Sequence, residues 1–521
     1  MIAILTLIAL LSAYLIADRM SSTSTELLAE REKLTQKALR DAKAALLGYV
    51  AKYASDTGHS VPGRFPCYED ASIVGTPNEG NEAAGGTCNT NTIIQFGRLP
   101  WNTISLGDVR DGWGEKLWYA LSPGFRDSPI NSTTAGQILL DGKPVVALII
   151  APGPSISSQS RPALPGSMAY NYFGSASVYS NYLEGENASS PVDVNFTSAG
   201  LPGSFNDRVI AITQREVFDI VEPIVAARIS TAGTSDQFPE DLASYYSKWS
   251  AYPFAAPFGN PITGDYRGAN ATYQGFVPAT TTAGDPTFVV WAASPAPAIT
   301  NNNGAGNGTV NSQSCSGTGS QTLQCVFNYR RSSGRTPTVT ITATANNVGM
   351  AFREPLLSTD ITITNCSAGG ACVLSNRVLS PQTTGSSGNL PVTFSARLPN
   401  LGSGNKNATI NIPVPDDNSI LTHWFFTNQW QRTVYYAVAS EVAPSHTPSS
   451  SCGTCISVNG TTGNKVVMIL MGGALGTQAQ PSSSPDDYLE NTNRAAAAAG
   501  TLVFGLTPRG ASYNDLTVVL Q

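Results

Sequence analysis

The chain has 521 residues, only 13% of them charged, and a formal net charge of −6. That length leaves room for about three domains of ordinary size, and the mild acidity gives no electrostatic case for a nucleic-acid partner. Gly, Ser, Thr, Asn and Pro punctuate short β-branched runs, which reads as a β-rich body.

Met1 to Ala17 (MIAILTLIALLSAYLIA) carries no charge and no Gly or Pro. The run sits at the lower edge of a bilayer-spanning length. No Lys or Arg precedes it, so the positive region of a secretory signal is missing. Ser21 to Leu47 then continues in strong helix formers, with no breaker before Gly48. Leu27, Leu28, Leu34, Ala38, Ala42, Ala45 and Leu46 form one apolar stripe. Glu26, Glu30 and Asp41 alternate with Arg31, Lys33, Lys37, Arg40 and Lys43 on a solvated face. The pattern predicts one helix over residues 1–47, greasy in its first half and amphipathic in its second. Such a helix serves either as a membrane anchor for a surface domain or as the core element of a filament.

The eight cysteines fall into local pairs: Cys67 with Cys88, Cys315 with Cys325, Cys366 with Cys372, and Cys452 with Cys455. An even count with local spacing in a Thr/Asn-rich chain predicts four disulfides formed outside the cytoplasm. Sequons such as those at Asn187, Asn407 and Asn459 fit the composition of a polar surface.

Several motifs carry a resemblance. VPGRFPC (Val61–Cys67), GRLPW (Gly97–Trp101), DGWGEKLWYALSP (Asp111–Pro123) and FNDRVIAIT (Phe205–Thr213) follow the N-terminal helix. Together with that helix they resemble a type IV pilin or type II secretion pseudopilin over about the first 215 residues, starting where a prepilin leader has been removed. The resemblance implies a structural subunit held in the inner membrane and then assembled as a homo-oligomer into a helical filament at the cell surface. It implies a prepilin peptidase, an assembly ATPase and a platform protein as partners. Met1, Ile4, Leu5, Leu7, Leu11, Tyr14 and Leu15 would line the assembly helix. Most such pilins have Glu at the fifth mature position, paired with a neighbouring subunit's amine; here that residue is Leu5, a departure shared by a few minor pseudopilins that cap filaments. Pro is also missing near residue 22, where many pilin helices kink.

The body repeats. Gly112–Pro123 aligns with Gln429–Ser440, Pro144–Gly153 with Lys465–Ala474, Tyr182–Asn187 (YLEGEN) with Tyr488–Asn493 (YLENTN), and Phe205–Thr213 with Tyr513–Gln521. Arg215–Ile229 would supply the helix of the second copy, and YPFAAPFGNP (Tyr252–Pro261) would answer to VPGRFPC. The expected fold is α+β: a long pilin helix (1–47), a first helix-plus-antiparallel-sheet head (48–213), a second head (214–292 and 416–521), and an all-β, sandwich-like insertion (293–415). A flexible run, Asn301–Ser314, opens the insertion. Asn206–Asp207 and Asn514–Asp515 read as local Asx turns before the last strands.

Signs of chemistry are sparse. Cys452–Cys455 has CxxC spacing but lies in a Ser-rich loop, which favours a structural clip over a redox or zinc site. Asp416–Asp417–Asn418 and the Glu184, Glu186 and Asp193 group read as solvated acidic turns rather than calcium ligands. Trp101, Trp113 and Trp118 read as packing rather than a sugar platform. No catalytic or cofactor motif sits in a fitting context, so no catalytic residue, metal or cofactor is expected. The rival readings are a minor or tip subunit with the insertion as adhesin, and a membrane-anchored surface enzyme or carbohydrate-binding protein.

Overall fold

The computed structural model of the chain is α+β, with one long N-terminal helix and several largely antiparallel sheets. It describes residues 2–83 (bar 57–58), 94–161 (bar 128 and 157–158), 179–230 (bar 190–191 and 202), 242, 246, 252–259, 272–278, 424–443 and 455–520 (bar 511), with the strands named below between 290 and 413. The chain divides into two compact units, Met1–Ile224 and Val225–Gln521.

Helix α1 runs unbroken from Ile2 to Ser55, 54 residues, a length of about 80 Å. Its expected end near Leu47 is corrected by two further turns. Leu46, Val50 and Ala54 continue a fully buried stripe at four-residue spacing. Burying that stripe outweighs the roughly 1 kcal/mol that Gly48 costs inside a helix.

The first unit holds strands β1 (Gln95–Arg98), β2 (Trp118–Leu121), β3 (Ile138–Leu140), β4 (Lys143–Val145), β5 (Ala147–Ala151), β6 (Asn195–Phe196) and β7 (Arg208–Ile212). The main sheet has the order β1–β2–β5–β7 and is antiparallel throughout. Every residue of β2 and β5 is buried, because both faces are covered. On one face Phe96, Trp118, Ala120, Leu148 and Ile150 join Tyr179, Tyr182 and Phe196 in the core. Tyr119, Leu121, Ala147 and Ile149 alternate to the other face, and α1 packs against β5 and β7. A small sheet, β4–β3–β6, stands beside it. Its β3–β4 hairpin turns through Asp141 and Gly142 at φ 50° and 76°, the pair of positive angles that a two-residue hairpin turn needs.

Helix α2 (Gln214–Ser230) matches its expected span within a residue at each end. Then come β8 (Gln274–Phe276), β9 (Val290–Trp291) just ahead of the insertion, and within it β10 (Ala298–Asn301), β11 (Thr309–Thr318), β12 (Thr322–Arg331), β13 (Thr338–Asn346), β14 (Asp360–Thr362), β15 (Ala371–Val373), β16 (Leu390–Arg397) and β17 (Gly404–Pro413). They form two sheets, β10–β13–β16–β14 with β9 on β13, and β11–β12–β17–β15. In β12, Cys325, Phe327 and Tyr329 are buried while Gln324, Val326 and Arg330 are exposed, the alternation of a sheet with one covered face. The expectation of a flexible run through Ser314 is corrected at Thr309, where β11 begins. Its polar residues gain order from β12: Cys315 stands opposite Cys325 and is bonded to it, and Asn311, Asn328 and Asn407 link side chains across three strands. Pairing, not hydrophobicity, makes this strand.

The second unit closes with β18 (Val434–Val438), β19 (Ile456–Val458), β20 (Thr461–Asn464), β21 (Val466–Leu470), helix α3 (Asn491–Ala499), β22 (Val503–Phe504) and β23 (Leu516–Leu520). The order β8–β18–β21–β23 repeats β1–β2–β5–β7, and β20–β19–β22 repeats β4–β3–β6. The match reaches single bonds. Tyr119 Oη donates to the Pro66 carbonyl at 3.1 Å, and Tyr436 Oη to that of Pro253 at 2.9 Å. Gly97 and Gly275 pair with these tyrosines, and the Asp141–Gly142 turn returns as Asn459–Gly460. One aligned segment is corrected. Tyr119 pairs with Ile149 and Tyr436 with Met468, so Ile149 answers to Met468, not to Leu470 as the alignment of Pro144–Gly153 with Lys465–Ala474 implied. A slip of two residues keeps every side chain on its face, and hydrophobic pattern alone does not reveal it.

The insertion departs from the β8–β18–β21–β23 sheet after β8 and rejoins it before β18, and these two strands are hydrogen-bonded neighbours. Replacing residues 293–415 with a short linker is therefore expected to leave the β8–β18–β21–β23 sheet folded. Circular dichroism and thermal unfolding of the shortened chain check this; loss of the second unit's transition is the contrary result.

Candidate functional site

Two features rise above the scaffold: the docking of α1 and a buried polar cluster present in both repeats. The docking begins with composition. Thr35, Ala38, Leu39, Ala42, Leu46, Val50 and Ala54 are buried, whereas residues 24–30 are all exposed. The contact between helix and body starts at Arg31. There Gly112 of the DGWGEKLWY motif lies so close to the helix backbone that a Cβ would collide with the Arg31 carbonyl. The Gly112 N–H donates to Thr35 Oγ1 at 3.0 Å, and Thr35 Oγ1 donates to the Arg31 carbonyl at 3.0 Å.

Asp111 shapes the loop that makes this approach. Its Oδ1 accepts from the Trp113 and Glu115 N–H groups, each at 2.9 Å, and its Oδ2 from Gly153 N–H at 2.9 Å. Burial raises the carboxyl above its ordinary range, and these three N–H bonds limit the rise. Further along, Lys43 Nζ bonds Glu216 at 2.6 Å and the Ala211 carbonyl of β7 at 2.8 Å, and Arg208 pairs with Glu32 at 2.9 Å. Burial alone raises Glu216, but the hydrogen bonds from Lys43 and Thr213 outweigh it and hold the carboxyl low.

Before Arg31 the helix continues for about 45 Å. Leu27 and Leu28 are 52% and 56% exposed, and Ile4 and Leu11 are 65% and 60% exposed. Leu5, Leu7, Tyr14 and Leu15 lie in the same helix, their side chains outside the described residues, as is Met1. Among the described residues no helix is long and apolar enough to cross a membrane.

The second feature was missed in the sequence. Glu184 Oε2 accepts from the N–H groups of Asn206 (3.0 Å) and Asp207 (3.2 Å), and Glu184 Oε1 from Gln159 Nε2 (2.6 Å). Asp207 Oδ2 accepts from the Glu184 N–H (3.1 Å) and Asn187 Nδ2 (2.9 Å). The second repeat rebuilds the set with Glu490, Asn514, Asp515, Gln478 and Asn493 at 2.9–3.3 Å. The Asx-turn expectation is corrected here. Asn206 and Asn514 reach the Pro154 and Gly473 carbonyls, each at 2.6 Å, and the aspartates bind residues twenty or more positions away. Asn187, expected at the surface, is 1% exposed. Burial, then the neighbouring Glu184 charge, pushes Asp207 up to about 8; burial and Glu490 likewise push Asp515 up. Identical residue types at YLExxN and at the later Asn–Asp, in both copies, were the available signal.

The other candidates scatter. Glu184 is buried rather than in a solvated turn, while Glu186 and Asp193 are exposed and apart from it. Among the described residues no group of three metal-ligating side chains converges. Asp416, Asp417 and Asn418 lie outside the described residues. Trp118 is fully buried against Phe96, Tyr179 and Tyr182, and Trp101 and Trp113 are half-buried. Cys315–Cys325 is the disulfide whose two partners are both described. Cys67 and Cys455 are disulfide-bonded as well; Cys88, Cys366 and Cys452 lie outside the described residues, as does the side chain of Cys372. No protein family, curated protein or solved structure matches the chain.

Gly112→Ala is expected to push helix and loop apart at a cost of about 1–3 kcal/mol, read as a lower thermal midpoint of the first unit. Gln429, its aligned counterpart, sits at φ 59°, and Gln429→Gly is not expected to lower stability.

Proposed function

We propose that the chain is a structural subunit of an extracellular filament of the type IV pilin kind, with α1 as its assembly element. The supporting observation is the division of labour along one helix. Between residues 35 and 54 one stripe, Thr35 to Ala54, is buried in the first unit, while leucines at 27 and 28 and the described residues Ile4 and Leu11 stay uncovered on the same continuous rod. Exposed apolar side chains on a rod are stabilised by the equivalent rods of other copies. In this reading the subunit waits in the inner membrane through Met1–Ala17, a prepilin peptidase, assembly ATPase and platform protein handle it, and the two repeats with their sandwich-like insertion coat the filament. Leu5 in place of a glutamate favours a second reading, a minor or tip subunit whose insertion is the adhesin.

Leu7→Asp and Leu11→Asp place a charge in the apolar core of the filament, where it is costly. Each is expected to abolish filaments seen by electron microscopy while leaving the thermal midpoints of the folded units unchanged. Normal filament yield from both variants would remove the assembly role. Filaments that persist at normal number when residues 293–415 are deleted, with surface attachment lost, would assign adhesion to the insertion.

A further inference from the structure

We propose that Glu184–Asp207 and Glu490–Asp515 are proton-sharing latches, each holding one proton between two carboxyl groups, tying the start of the last strand of its repeat to the helical segment that follows the glutamate, and loosening in alkaline medium. This inference does not depend on the filament reading.

The geometry assigns the proton. All four residues are buried, at 7% exposure or less. In each pair both glutamate oxygens and one aspartate oxygen already accept N–H donors. The remaining oxygens, Asp207 Oδ1 and Asp515 Oδ1, are buried with no donor, yet each aspartate is within hydrogen-bonding reach of its glutamate. Two ionised carboxylates in that position would repel in a poorly solvated site. One proton on the aspartate, donated to the glutamate, satisfies every oxygen.

Among the described residues no neighbouring cation takes the proton's place. Arg161 is held by the carbonyls of Gly153, Asn181 and Tyr182, by Gln159 and by Glu115. Arg208 pairs with Glu32, and Glu186 is exposed. In the second repeat Arg494 faces Asp486 at 3.8 Å, Asp487 accepts from Ala479 N–H, and the Tyr513 hydroxyl accepts from Asn493. A metal ion would meet the hydrogens of the amide donors that ring the pair.

An acid whose folded pKa is raised binds its proton more tightly in the fold. The stabilisation is complete below the unfolded carboxylate range near 4, declines as pH rises, and is gone above about 8 for Asp207. Within that window each latch raises the unfolding constant about tenfold per pH unit. Glu79, Glu216 and Asp141 are held low, so their losses fall at the acid end, below pH 5.

The test is thermal unfolding of the full chain at pH 5, 7 and 9, for wild type, Asp207→Asn, Asp515→Asn and the double variant. Asparagine keeps the acceptor oxygen and donates permanently to the glutamate. The wild-type midpoints should fall from pH 5 to pH 9. The double variant should lose most of this dependence and exceed wild type at pH 9, leaving the slope from Glu69 and Asp111, which burial also raises. An unchanged slope, or variants weaker than wild type at pH 9, would overturn the proposal. So would a rise in the wild-type midpoint on adding calcium chloride at pH 9, which would make the pair a cation site. If the variants fail to fold, infrared spectra of wild type at pH 7 decide: a carboxylic-acid C=O band is expected, and its absence sinks the latch.

Discussion

The first unit depends on a backbone-to-backbone contact, the passage of α1 at Arg31 across Gly112. Two main chains approach this closely only where one lacks a side chain. Once Gly112 and Thr35 are bonded, the azimuth of the helix is set, and Leu39, Ala42, Leu46 and Val50 fall in turn onto the sheet. The same contact decides where the helix stops being part of the body. The aligned position in the second repeat holds Gln429, so the glycine is a requirement of the helix and not of the sheet.

The two repeats show which interactions a sheet of this design can exchange. Apolar positions have drifted: Trp118 answers to Tyr435 and Ile149 to Met468. Volume and patterning suffice there. The buried polar set has not drifted. Gln159, Glu184, Asn187, Asn206 and Asp207 reappear as the same residue types with the same bonds, because removing one member of a buried network leaves the others unsatisfied. Tyr119 and Tyr436 follow the same rule, each spending its hydroxyl on one proline carbonyl.

Legibility in the sequence followed physical cause. The long helix was readable from its helix formers and apolar stripe, and the doubling of the body, with α2 as the second copy's helix, from motifs matched in the same order. What failed depended on partners distant in the chain. The end of α1 was misplaced because Gly48 is a local signal and the buried stripe beyond it is a tertiary one. β11 was hidden because its order comes from β12. The alignment slip near Ile149 was invisible because strands have period two. Asn206 and Asp207 looked like turn formers, since residue type alone does not say that their side chains cross to another segment. The role of Gly112 was equally hidden: a glycine in a motif announces a constraint without naming what passes by.

The Cys315–Cys325 bond joins residues directly opposite on β11 and β12, ten positions apart. Its mechanical meaning differs from its thermodynamic one. A chain pulled from its two ends transmits load through covalent bonds once its hydrogen bonds give way. The bridge carries that load past the hairpin tip, so roughly 30 Å of chain is withheld from extension. The β11–β12 hairpin then behaves under tension as a stiff link of fixed contour length.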